Sequence, residues 1–168
     1  VTGMAFETWP QLLLDFKNGA LKRHYDQSPQ MNFSNLPLPR KDLLPKFSYI
    51  SKNTIQATFG CPYKCDFCAV ISTQKKYLRR PVEDVIKEIS EMNGNFVTFI
   101  DPSPMEDKKY IKRLLREMIP LKKMWGGLAT VKIGDDEELM DLCAESGCKG
   151  LLIGFESVEQ DALVEINK

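Results

Sequence analysis

Histidine is all but missing from this chain: His24 is the only one in 168 residues. A zinc site of the usual Cys/His composition would therefore have a single imidazole to draw on, far upstream of the cysteines. An excess of charge is missing too. Twenty-three Lys and Arg balance 23 Asp and Glu, which removes the electrostatic case for nonspecific nucleic-acid binding. No apolar run approaches the roughly 20 residues that cross a bilayer, and the first residues lack the basic start and apolar stretch of a signal peptide. The 5 cysteines, three of them clustered, fit a reducing compartment better than a disulfide framework, so the cytoplasm is expected. The length and ordinary apolar content supply material for one globular domain. Val1 at the start and Ile166-Asn167-Lys168 inside a helical pattern read as a piece of a longer polypeptide.

What the chain does have is Cys61-Pro62-Tyr63-Lys64-Cys65-Asp66-Phe67-Cys68, a C-x3-C-x2-C loop directly after a strand-like run and Gly60. Thiolates are the usual protein ligands of iron–sulfur clusters, and a four-iron cluster held by three of them leaves one iron uncovered. An open position on a metal is what separates a catalytic site from a closed structural one. Gly60 and Pro62 suit a backbone that must turn sharply around a bulky inorganic group. A structural zinc knot and a cluster used only for electron transfer remain the alternatives.

Around this loop, apolar strands alternate with amphipathic helices, the pattern of a parallel sheet covered by crossover helices. A strand is expected over Thr54–Phe59. A helix opens at Pro81, with Val82, Val85, Ile86 and Ile89 on one buried face. Phe96–Ile100 reads as a central strand buried on both faces and ending at Asp101. The next helix carries Tyr110, Ile111, Leu114, Leu115 and Met118 on one side. A third strand falls within Met124–Val131, weakened by Gly126 and Gly127. Asp135 or Asp136 opens a helix with Leu139, Leu142 and Cys143 inward, which Gly147 closes. Gly150–Phe155 reads as a fourth strand, followed by Glu156-Ser157 and the start of a helix.

Chemistry in such folds gathers at the carboxyl ends of the strands. There stand the cysteine loop, Asp101 and Ser103, Thr130, and Glu156 with Ser157. The latter two are equally readable as a helix cap. Cys143 and Cys148 read as small hydrophobes, and Trp9 and Trp125 as packing residues. Lys75, Lys76, Arg79 and Arg80 read as a solvated loop, with an anionic substrate or a partner domain as the other reading. Upstream, Thr8 and Gln11 stand at capping-box spacing before an apolar face of Leu12, Leu13 and Phe16. Asn18-Gly19 stops that helix. Prolines 29, 37, 39 and 45 make Asp26–Lys46 an extended connector.

The cysteine spacing, with an aromatic residue just before the third cysteine, closely resembles the signature of the radical S-adenosylmethionine (SAM) enzymes. The resemblance implies an α/β fold, a partial parallel (βα) barrel cut off after about four βα units, with an N-terminal helix and Pro-rich linker. It implies a [4Fe–4S] cluster on Cys61, Cys65 and Cys68, whose open iron chelates SAM and whose reduction releases a 5'-deoxyadenosyl radical. Phe67 would lie beside the adenine, Asp101 and Ser103 near the methionine ammonium, Thr130 in the same pocket, and Glu156 and Ser157 near the ribose or carboxylate. In the family an acidic turn often follows strand two; here Pro102 interrupts it. Leu36–Pro45, Ile55–Thr58, Arg79–Glu83 and Gly154–Ser157 are similar in wording to cobalamin-binding members, which implies methyl transfer or radical cyclisation. The Asp-x-His-x-x-Gly motif of their cobalamin domain has no match, so cobalamin is expected in the parent polypeptide and not on this segment. The expected organisation is 1–50 as helix and connector and 51–168 as the first part of the radical domain. Expected partners are an unidentified small-molecule substrate, an electron donor such as flavodoxin or ferredoxin, and the flanking domains of the same polypeptide, with no membrane and no nucleic acid.

Overall fold

A computed structural model describes residues 1–26, 33–34, 36–45, 49, 51–73 and 76–168. The chain divides into two compact units, Val1–Pro37 and Leu38–Lys168. The division falls earlier than the expected break at residue 50. Lys41, in a single 3-10 turn over Lys41–Leu43, donates to the Thr54 carbonyl at 2.6 Å and to Glu88 at 2.9 Å, which anchors this part of the connector to the second unit. Pro29 and Lys46, part of the expected connector, lie outside the described residues.

The first unit is built on α1 (Thr8–Lys17). Its expected capping box does not form: the cap position falls on Glu7 and no side-chain hydrogen bond caps the helix there, and Gln11 donates instead to Asp15 at 2.7 Å. Nor does its apolar face pack, since Leu13 and Phe16 are exposed and Trp9 is 53% exposed. The buried residue of the helix is Asp15, which accepts from the Tyr25 hydroxyl at 2.8 Å. Asn18 and Gly19 end the helix as expected, with Gly19 at φ 66°.

In the second unit a parallel sheet has the order β1 (Thr54–Ile55), β4 (Phe96–Phe99), β5 (Met124–Ala129) and β6 (Cys148–Ile153). A separate antiparallel pair joins β2 (Thr58–Phe59) to β3 (Leu78–Arg79). The single strand expected over Thr54–Phe59 is thus two. The chain leaves the parallel sheet at Gln56, and the Ala57 and Thr58 amides are taken by the Asp101 carboxylate in place of a strand neighbour. The short helix α2 (Val70–Thr73) follows the cysteines.

Helices α3 (Val82–Glu91), α4 (Lys108–Met118) and α5 (Glu137–Glu145) lie between successive strands in sequence. Each starts where its residues dictate. Pro81 precedes α3 with φ −54°; Asp107 accepts from the Tyr110 amide at 2.9 Å; and Asp136 accepts from the Leu139 amide at 3.0 Å. Val82, Val85, Ile89, Ile111, Leu114, Leu115, Met118, Leu139, Leu142 and Cys143 face one core with Val97, Phe99 and Trp125 from the sheet. Removing each such side chain from water stabilises the fold by about 1.5–3 kcal/mol.

Three strand expectations need correction. Phe96–Ile100 is not buried on both faces: Val97 and Phe99 are buried, whereas Phe96 is 41% exposed and Ile100 is exposed. One face of the sheet packs on the helices and the other keeps access to solvent. The glycines of β5 do not end it, since the strand runs through them, but its register against β6 shifts between Trp125 and Gly126. A Cβ on Gly127 would come within 3.1 Å of Phe99 Cβ, so the missing side chain permits close strand approach. The last strand begins at Cys148, earlier than expected, and stops before Gly154. A final helix, α6, spans Gln160–Glu165.

The basic run is a solvated loop only in part: Lys76 and Arg79 are exposed, and Arg80 is not. Arg80 is buried and donates to Glu88 at 2.8 Å and to the Gln56 carbonyl at 3.0 Å, and Arg79 pairs with Asp107. Lys75 lies outside the described residues. Trp125 packs as expected, its indole N–H donating to Ser146 at 3.0 Å, but the exposed Trp9 does not.

Candidate functional site

The cysteine loop leaves the end of β2 through Gly60, whose φ of 77° is the left-handed conformation a side chain would disfavour. Cys61, Cys65 and Cys68 are all free and half-buried. Among the described residues, no three His, Cys, Asp or Glu side chains gather tightly enough to hold a single metal ion, the loop thiols included.

Two features brace the loop from below. Asp101, at the end of β4, is completely buried. Its Oδ1 accepts from the Ala57 amide at 2.9 Å, from the Thr58 amide, and from the Thr58 hydroxyl at 2.7 Å. Its Oδ2 is buried without a hydrogen-bond partner. Burial pushes the Asp101 carboxyl up to about 6, against the downward pull of the Thr58 and Ala57 donors. The carboxylate expected near a ligand ammonium thus spends one oxygen on the backbone leading into the cysteines.

The second feature was not among the expected site residues. Glu106, in the loop before α4, accepts from Ser103 at 2.9 Å and Thr130 at 3.1 Å on Oε1 and from the Tyr63 hydroxyl at 2.6 Å on Oε2. Three segments at the carboxyl end of the sheet therefore converge on one carboxylate. Lys132 adds a cation 4.7 Å from the centroid of the Tyr63 ring. Burial first, and Glu106 second, hold the Tyr63 phenol above its usual range. The sequence carried a faint signal for Glu106: an acid in a short Pro/Ser loop after a strand, at the end of the sheet where sites form.

The structure brings Ser103 and Thr130 together on Glu106, and the remaining candidates have other partners. Phe67 is 53% exposed, with Lys168 Nζ 5.8 Å from its ring centroid. Glu156 is exposed, in the left-handed conformation at φ 60°, and accepts from Lys168 at 3.3 Å. Ser157 accepts from the Glu159 amide at 3.0 Å, in the turn before α6. Glu159 takes the cap position of α6 without a side-chain bond, so neither Glu156 nor Ser157 caps the helix itself. Cys143 is buried on α5 and its thiol is pushed up to about 12 by burial, while Cys148 is half-buried in β6 with its thiol raised by the same cause.

Over all of its length the chain is 26% identical to the bacteriochlorophyllide d C-12(1)-methyltransferase of Chlorobaculum tepidum, of which it covers 39%. It is also 26% identical to the hopanoid C-2 methylase of Rhodopseudomonas palustris, over 83% of the chain and 28% of that protein. The chain thus spans well under half the length of these curated relatives. Its fold matches the solved structure of the radical S-adenosylmethionine methyltransferase TsrM from Kitasatospora setae with a TM-score of 0.61 and 22% identity, over 66% of the chain and 23% of TsrM. TsrM has been solved with tryptophan and a SAM analogue, and with cobalamin and a [4Fe–4S] cluster. Residues 55–168, from β1 through the cysteine loop to the end, match the family described as the Radical SAM superfamily. The cysteine loop and the parallel sheet that carries it therefore have one source: the chain belongs to the Radical SAM superfamily.

Proposed function

We propose that the full protein is a radical SAM enzyme in which Cys61, Cys65 and Cys68 hold a [4Fe–4S] cluster with one iron open to SAM. The single observation that carries this reading is three free, half-buried thiols on one loop at the carboxyl end of the sheet, in a chain whose matched region contains that loop. Held by Cys61, Cys65 and Cys68, such a cluster would supply one-electron reduction of the SAM sulfonium, which breaks the C5'–S bond to give methionine and a 5'-deoxyadenosyl radical. The residues of this chain bind and orient. The exposed Phe67, beside the third cysteine, offers a ring face to the adenine. Ser103 and Thr130 commit their hydroxyl protons to Glu106, so the lone pairs they have left can only accept. Ser103 is buried, so the half-buried Thr130 is the hydroxyl that a donor such as the methionine ammonium would meet. Glu156 and Ser157 stand at the end of β6, where they would receive ribose or carboxylate.

The names of the curated relatives support methyl transfer as the overall reaction. Cobalamin, which TsrM binds, would belong to the parent polypeptide. The reductant is proposed to be a flavodoxin or ferredoxin, and the free thiols fit a reducing cytoplasm. Among the described residues no helix is long and apolar enough to cross a membrane. The test is product analysis on the full-length protein, reconstituted anaerobically and reduced with dithionite in the presence of SAM. Formation of 5'-deoxyadenosine, abolished by Cys65→Ala, is the expected result; a loaded protein that makes none would overturn the radical reading.

A further inference from the structure

Each gap of the C-x3-C-x2-C motif contains one residue tied to a distant part of the fold. In the second gap, the Asp66 amide donates to the Ile166 carbonyl at 3.1 Å, and its carboxylate accepts from Asn167 at 3.0 and 2.9 Å. In the first gap, Tyr63 is held twice: its hydroxyl by Glu106 at 2.6 Å and its ring by Lys132 at 4.7 Å. The Tyr63–Glu106 contact is the stronger kind, a short hydrogen bond to a half-buried carboxylate. That same carboxylate is fixed by Ser103, which is buried, and by Thr130. Tyr63 is thereby connected to the ends of both β4 and β5, the two inner strands of the sheet.

We infer that Glu106 is a positioning residue: acting through Tyr63, it latches the cysteine loop onto the strand ends and presets the spacing of Cys61 and Cys65. A loop free to move would have to be ordered when its thiols take up a ligand, at a cost in conformational entropy for every residue fixed. A latch formed within the protein meets that cost before the ligand arrives, the general advantage of preorganisation. The three acceptor contacts also explain why a carboxylate is needed. An alanine would leave the three hydroxyls without their common acceptor, while a glutamine keeps one acceptor oxygen in place of two. The importance of the latch for catalysis rests on the cluster reading above, but its existence does not, and the two are tested separately.

Hydrogen exchange of the 61–68 segment in the full-length apoprotein tests the latch. Tyr63→Phe removes only the hydroxyl and keeps the ring. Glu106→Ala removes the acceptor, and Glu106→Gln restores part of it. Each of the first two is expected to speed exchange at Lys64–Phe67 by roughly ten-fold, as for loss of one hydrogen bond to a charged group. The double variant is expected to be no faster than Glu106→Ala alone, because both changes break one contact. Glu106→Gln should fall between, and exchange in α3–α5 should stay unchanged, which separates a local latch from general loosening. After reconstitution, the same order is expected for the rate at which a chelator strips iron. Exchange in Tyr63→Phe within two-fold of the wild type, or additive effects in the double variant, would overturn the inference. A wild-type protein that takes up no four-iron cluster would instead overturn the proposed function and leave the exchange result standing.

Discussion

Asp101 shows what burial does to a single carboxylate. Three donors converge on one of its oxygens while the other has no hydrogen-bond partner, and burial outweighs the donors to raise the carboxyl to about 6. The native state therefore binds the Asp101 proton more tightly than the unfolded chain, whose value is near 3.8. The contribution of this residue is most favourable below the unfolded value and is lost as pH rises toward 6, after which it stays constant. The full difference is about 3 kcal/mol. Asp101→Asn keeps an acceptor for the Ala57 and Thr58 donors but cannot titrate. Melting the two apoproteins between pH 4 and 7 should show the wild type losing stability relative to the variant as pH rises through this range. A parallel pH dependence of the two would show that Asp101 has an unperturbed carboxyl. The sequence marked Asp101 as a site residue by its place at a strand end; it could not reveal that Thr58, 43 positions upstream, would claim the carboxylate. Glu106 escaped notice for the same reason, since its meaning lies in Tyr63 and Thr130, which are remote in sequence.

At the scale of elements, the periodicity of apolar residues located α3, α4 and α5 because each helix buries one face against one sheet. The carboxylates that start α4 and α5 were legible too, through the preference for a side-chain acceptor ahead of the first turn. Failure came where polar groups are buried. Glu88 lies on the inward side of α3, where Arg80 and Lys41 both meet it, an arrangement that no hydrophobic period encodes. This triad connects α3 to the segment after β3 and to the connector, and its cost of desolvation is offset only while all partners are present. Glu88→Ala strands a buried guanidinium and is expected to destabilise the second unit by about 3–5 kcal/mol, measured by denaturant unfolding. A loss below about 1 kcal/mol, the range of a surface pair, would mean that water reaches the triad. Failure of the α1 face has a related cause: Asp15 is the buried residue there, while Leu13, Leu14 and Phe16 are exposed, contrary to what an amphipathic pattern implies.

For the whole molecule, the alternation of strands and helices and the family resemblance of the cysteine loop were enough to indicate a parallel α/β fold of the Radical SAM superfamily. Both are local patterns, and local patterns survive in sequence. The division of β1 from β2, the one-sided burial of the sheet, and the three-hydroxyl junction on Glu106 depend on contacts between distant segments and became visible only in three dimensions. The central claim is that the three thiols leave one iron open to SAM. Electron paramagnetic resonance of the reconstituted, reduced full-length protein, recorded with and without SAM, tests it most directly. The account requires a four-iron signal that changes on addition of SAM and is absent from Cys61→Ala, Cys65→Ala and Cys68→Ala but kept in Cys143→Ala. A four-iron signal that SAM leaves unaltered, or one that survives loss of any of the three loop cysteines, would contradict it.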